Sequence, residues 1–161
     1  MMIPVQEKYQ LSLEKAMRNL QTADHLTYIT IPLIKESKLL LKVLEELGLS
    51  LINIINAILQ YEYLYHRIKL YADARENFTT FKNLTIRYNI NPEQLTKIID
   101  ILTLIEKHKT SPFEFIKNDK IVIMSEEMKT ETLTIEKVKN YLLEVKDVLR
   151  KATISLTSRK I

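Results

Sequence analysis

The sequence predicts an all-α fold: a bundle of about five helices with one long central helix and a small β-hairpin near residues 113–124. Three observations carry this reading. Apolar residues recur at alternating spacings of four and three from Leu40 to Ile68, Asn91-Pro92-Glu93-Gln94 forms a strong helix start, and residues 113–124 abandon the helical period. At 161 residues, with no low-complexity stretch, repeat or Gly/Ser/Pro-rich linker, residues 1–161 are expected to form a single helical domain around one core.

The first helix is expected to begin between Gln6 and Ser12 and to run to about Thr30. Leu13, Ala16, Leu20 and Ala23 form its apolar stripe, and Pro32 should stop it by disfavouring helical geometry at Ile31. The β-branched last turn, Leu26 to Thr30, is expected to fray. The second helix carries the heptad run Leu40, Leu44, Leu47, Leu51, Ile54, Ile58, Tyr61, Tyr65 and Ile68, which implies about thirty residues. Flanking Leu41, Ile52, Ile55 and Leu59 widen the stripe beyond a two-stranded seam, so burial among several helices is expected. Gly48 is the weak link, because glycine inside a helix costs about 1 kcal/mol relative to alanine. The sequence leaves open whether the helix kinks or breaks there.

A third helix covers residues 73–89, with Phe78 and Phe81 on one side. In the fourth, from Pro92 to about His108, Asn91 caps free amides, Pro92 suits the first helical position and Glu93 favours the positive helix end. Leu95, Ile98, Ile99, Leu102 and Ile105 are expected on its inner face. Around Asn118-Asp119, a pair tolerant of tight-turn geometry, Phe113, Phe115 and Ile121 to Met124 predict the hairpin. Thr134 should cap a last helix, from Ile135 to about Thr157, with Val138, Leu142, Val145 and Leu149 facing inward.

Composition removes several function classes. One glycine in the chain excludes the glycine-rich phosphate cradles, and the absence of cysteine excludes disulfides, thiolate zinc sites and cysteine nucleophiles. The net charge of +4 rests on 18 Lys and 6 Arg spread along the chain, which favours solubility over a dedicated basic arm. Met1-Met2-Ile3-Pro4-Val5 lacks the features of a signal peptide, and no uncharged stretch is long enough to span a bilayer, so a cytoplasmic protein without membrane contact is expected. His25, His66 and His108 are far apart, and Glu62 with His66 reads as an ordinary helix-surface pair. Neither a metal nor another cofactor is expected.

Two surfaces carry candidate chemistry. In Arg18-Asn19-Leu20-Gln21-Thr22-Ala23-Asp24-His25, the helical turn brings Arg18 and His25 to one polar face, about 10.5 Å apart along the axis. This octapeptide resembles the motif of the HEPN superfamily, small helical domains whose RNases carry an Arg, then a polar residue and, a few positions on, a His. The resemblance implies metal-independent RNA cleavage at a dimer interface, with His25 in acid–base chemistry and Arg18 on phosphate. In that family the motif sits toward the later helices, whereas here it lies in the first. The alternative for the same residues is a solvated helix face shared with Glu14 and Gln21. The second surface is Tyr63, Arg67, Lys69, Tyr71 and Arg75, where rings interleaved with cations suit stacked bases and phosphates and suggest RNA binding. Tyr61 and Tyr65, at heptad positions, are expected in the core. The layout in which a helical hairpin precedes His108-Lys109-Thr110-Ser111-Pro112-Phe113-Glu114-Phe115 and Lys120-Ile121-Val122-Ile123 is also similar to small helical proteins of archaea. The leading expectation is a non-enzymatic interaction module, a homodimer or a partner for another protein's helix. A HEPN-like RNase or RNA-binding protein is the alternative.

Overall fold

The computed structural model describes the backbone of residues 5–158 and the side chains of residues 8–157; Met1-Met2-Ile3-Pro4 lies outside the described residues. The chain is mostly helical. Its elements are α1 (Val5–His25), α2 (Ile31–Ile34), α3 (Leu39–Leu64), α4 (Ala74–Leu84), α5 (Pro92–Thr110), β1 (Phe113–Lys117), β2 (Lys120–Met124), β3 (Thr130–Leu133) and α6 (Ile135–Ser158). Helix α3 packs against α1, α4, α5 and α6, and α6 also packs against α1 and α5.

Pro32 does not end the first helix. Residues Leu26–Thr30 form a π turn in which the Ile31 amide bonds to Leu26 O, and the chain then continues as α2 to Ile34. A proline inside an α-helix clashes with the carbonyl four residues back and offers it no N–H; the widened turn just ahead of Pro32 relieves both problems. Nor is this turn frayed. Thr27 is buried within it and donates to Ala23 O at 2.7 Å. The helical run stops at Lys35, whose φ of 59° is left-handed.

The heptad residues of α3 from Leu40 to Tyr61 are buried in the chain's own core. The helix ends at Leu64, short of Ile68: Tyr65 already leaves helical geometry and His66 has a φ of 59°. Tyr65 is therefore exposed rather than buried, and Ile52 also lies on the solvent side. Helix α3 runs unbroken through Gly48, where a Cβ would run into Cδ1 of Ile105 on α5. The missing side chain lets the two helices approach, which outweighs the propensity cost.

Helices α1 and α3 run antiparallel, pinned by polar contacts along their seam. Ser12 Oγ donates to Gln60 Oε1 at 3.0 Å, Ser50 Oγ to Ala16 O at 2.8 Å, Asn53 Nδ2 to Asn19 Oδ1 at 3.0 Å and Asn19 Nδ2 to Glu46 Oε2 at 3.0 Å. Each bond satisfies a group that would otherwise be costly to bury, so together they fix the register of the pair.

Residues 73–89 divide into α4, capped by Asp73, and a 3₁₀ turn over Thr85–Tyr88. On α5 the Asn91 cap forms, accepting from the Gln94 amide at 2.8 Å. Ile99 is exposed, and Ile101 and Leu104 take buried places beside Ile98 and Ile105. The predicted hairpin is part of a larger element, a three-stranded antiparallel sheet ordered β1-β2-β3. Asn118 and Asp119 both have positive φ, the signature of a type I′ turn. Ile121, Ile123 and Leu133 bury the inner face. Thr134 caps α6 as expected, accepting from the Lys137 amide at 3.1 Å, and Val138, Leu142, Val145 and Leu149 are all buried.

Candidate functional site

Arg18 and His25 line one shallow depression on α1 together with Gln21, Thr22 and Leu26. Both are exposed. The Arg18 guanidinium lies 3.8 Å from Glu14, one turn earlier, and His25 Nδ1 is 3.3 Å from Thr30 Oγ1. Asn19, the polar residue after Arg18, turns the other way and holds the α1–α3 seam through Glu46 and Asn53. At this depression one chain thus presents His25 and Arg18 to open solvent. Cleavage by general acid–base catalysis needs both a base and an acid at the reacting bond, and among the described residues no second such group lines the depression.

The tyrosine-rich segment is divided between structure and surface. Glu62 is completely buried at the end of α3, so it is not half of a surface pair with His66, which lies beyond the helix end. Its Oε2 accepts from Arg67 Nη1 at 2.7 Å, and its Oε1 lies 3.4 Å from Arg87 Nε, within ion-pair reach but outside hydrogen-bond geometry. The Arg67 guanidinium also stands 5.9 Å from the Tyr61 ring centroid and 5.1 Å from that of Tyr65. The hydrogen bond to Glu62 raises the Arg67 pKa against the opposing effect of burial. Arg67 is therefore committed to the fold. Tyr63, Lys69, Tyr71 and Arg75 are exposed but belong to three different elements: the end of α3, the following loop and the start of α4. Asn77 fixes the loop by bonding both the amide and the carbonyl of Tyr71, each at 2.8 Å.

His108 joins three elements. Its Nδ1 is 2.7 Å from Glu114 Oε2 on β1 and its Nε2 is 3.2 Å from Glu45 Oε1 on α3. The two carboxylates sit on opposite sides of the ring, an arrangement for an imidazolium donating twice rather than for a metal. Among the described residues no group of three or more His, Asp or Glu side chains is placed to hold a metal ion. Burial lowers the His108 pKa, and the hydrogen bonds and charges of Glu114 and Glu45 outweigh it, so the net shift is upward. A raised folded-state value means that protonated His108 stabilises the fold fully below its unfolded pKa of about 6.5, and that this contribution is lost as pH rises through the folded value. Urea denaturation should therefore show the wild type losing its advantage over His108→Gln between mildly acidic and alkaline pH. A difference independent of pH would contradict the assignment.

A polar cleft lies between α5, β3 and α6, lined by Asp100, Thr103, Lys107, Glu131, Lys137 and Tyr141. Its charges are balanced internally. Lys107 donates to Glu131 at 2.8 Å and holds that carboxyl below its ordinary range, while burial pushes the Tyr141 hydroxyl up. Nearby, Gln94 Nε2 donates to Glu144 at 3.1 Å and to Asp147 at 2.9 Å, and the hydrogen bonds from Gln94 and Arg150 draw Asp147 down to about 2. These clusters tie α5 to its neighbours.

The surface feature that periodicity missed is apolar. Beyond the depression at Arg18, Met17 and Ile29 line a groove between α1 and α6 with Gln21, Asp24, His25 and Lys146. The run past the π turn ends in Leu33 and Ile34, 80% and 62% exposed. A sequence signal existed in the unbroken apolar string Ile31-Pro32-Leu33-Ile34, but it was hidden by the expectation that Pro32 ended the helix. Compared with known protein families, characterised proteins and solved structures, the chain matches none.

Proposed function

We propose that this chain is a non-enzymatic helical interaction protein that pairs with a second copy of itself through the outward side of its first helical run. The observation that carries this reading is the row of exposed apolar side chains from Met17 through Tyr28 and Ile29 to Leu33 and Ile34. Of these, Met17 and Ile29 line one groove, and exposed apolar side chains gathered in a polar-rimmed groove mark interaction sites. The heptad residues of α3 are consumed by the core, so the partner surface lies here. Its polar surroundings carry both signs, with Arg18 and Lys146 beside Asp24, and a two-fold interface requires such self-complementarity. A cytoplasmic location accompanies this reading.

Light scattering on Met17→Glu combined with Ile29→Glu tests it. Placing two carboxylates in a desolvated apolar interface should weaken self-association by about a hundredfold or more, equivalent to about 2.7 kcal/mol. Circular dichroism should be unchanged, because both side chains are exposed in the single chain. An assembled mass unaltered by the two substitutions would reject the surface.

The nearness of Arg18 and His25 to this groove favours a second reading, in which pairing brings together two copies of each and the dimer is a metal-independent RNase. Incubation with RNA in EDTA separates the two. RNA left intact by the wild-type dimer removes the nuclease reading, whereas cleavage abolished by His25→Ala establishes it.

A further inference from the structure

The strands place two phenylalanines where a soluble domain gains nothing from them. The registers pair Phe113 with Met124 and Phe115 with Val122, so these side chains share the sheet face opposite the buried Ile121 and Ile123. Glu114 points the other way, to His108. Phe113 and Phe115 are 57% and 36% exposed, with ring centroids 5.5 Å apart. On β3, Thr130 and Thr132 continue the same face.

The charged strand residues on this face are both lysines. Lys117 and Lys120 face each other directly across the hairpin end, both exposed. Among the described residues neither is within ion-pair distance of a carboxylate, including the intervening Asp119. Like charges directly opposite one another destabilise a strand pair, and an anion bridging them removes the repulsion. At the other end of the sheet, Lys129 is 3.8 Å from Glu127, so the unbalanced positive charge collects beside Lys117 and Lys120.

Adjacent exposed rings with unpaired cations at one end match the two parts of a single-stranded nucleic acid, flat bases and a phosphate backbone. We infer that the outer face of the β1–β3 sheet binds single-stranded nucleic acid, with bases stacked on Phe113 and Phe115 and phosphate held by Lys117 and Lys120. This site is separate from the α1 surface and from the Tyr63–Arg75 segment. Affinity is supplied by stacking, which is tolerant of base identity, so little sequence preference is expected.

Fluorescence anisotropy with a labelled thymidine oligodeoxynucleotide of about twelve residues tests the site, since single-stranded sites of this type span about 4–16 nucleotides. A deoxy strand lacks the 2′-hydroxyl, so binding is read apart from any RNA cleavage. Phe113→Ala with Phe115→Ala should reduce affinity at least about tenfold, the effect of losing stacked bases. Lys117→Gln with Lys120→Gln, which leaves the apolar contacts intact, should weaken binding and flatten the logarithmic salt slope by about 1.4, at about 0.7 per phosphate. Unchanged affinity in the phenylalanine variant, equal affinity for duplex, or no binding at low salt would each overturn the inference. So would a dimer that dissociates in the phenylalanine variant without any oligonucleotide binding, which would give this face to a second copy. Met17→Glu with Ile29→Glu should leave oligonucleotide affinity unchanged, so failure of the α1 interface and failure of this site are distinguishable.

Discussion

Arg67→Met is expected to destabilise the chain by about 3 kcal/mol, the lower end of the range for removing one partner from a buried ion pair. The reason is asymmetric burial. The Glu62 side chain is completely enclosed, whereas a third of the Arg67 side chain and nearly half of the Arg87 side chain reach solvent. Deleting Arg67 strands a carboxylate that, among the described residues, has lost its close hydrogen bond and retains the longer approach of Arg87. Deleting the carboxylate strands nothing comparable, because both guanidinium groups can turn outward. Glu62→Met should therefore cost much less, and Arg67→Met added to it should cost little more. Urea denaturation of the four proteins closes the cycle. Additive losses would show that Arg67 acts through its contacts with Tyr61 and Tyr65 instead.

Leu51→Ala should lose about 3 kcal/mol, within the range for truncating a fully buried leucine. What discriminates is how the loss depends on protein concentration. A residue in the chain's own core costs the same stability at every concentration, whereas one in a two-chain seam costs most where the chains are associated. The heptad pattern of α3 is compatible with either. Its burial in a single chain predicts an unfolding midpoint shift that is constant over a wide concentration range, and a shift that grows with concentration would reassign the heptad face to an interface.

How far the sequence disclosed this fold depended on whether local chemistry or distant packing decided each element. The cap at Asn91, the left-handed turn at Asn118-Asp119 and the Thr134 start of α6 are local choices, visible in short stretches of sequence and realised in the structure. Gly48 left the continuity of α3 open for the opposite reason: propensity sees only the missing side chain, while the deciding contact is Ile105, far along the chain. Pro32 is similar, since its disruption is absorbed by a π turn that Thr27 anchors from the inside. Strand β3 escaped notice because Thr130-Glu131-Thr132-Leu133 contains only one apolar residue, too few to show alternation.

For the candidate sites, spacing placed Arg18 and His25 on one face, and they do line one depression. It did not place Asn19, which is spent on the α1–α3 seam. The heptad pattern put both Tyr61 and Tyr65 inside, but the helix ends at Leu64, before Tyr65, so only Tyr61 is enclosed. Arg67, which composition offered as a phosphate ligand, is held by Glu62, a residue whose burial no local pattern reveals. Alternation in β1 could have exposed the Phe113 and Phe115 face, because Glu114 between them marks the opposite side.

Sedimentation velocity of the wild-type protein across a wide concentration range tests the central proposal most directly. Self-pairing through α1 predicts conversion from a species of 19.0 kDa at the dilute end to one of twice that mass at the concentrated end. A single 19.0 kDa species throughout would contradict it.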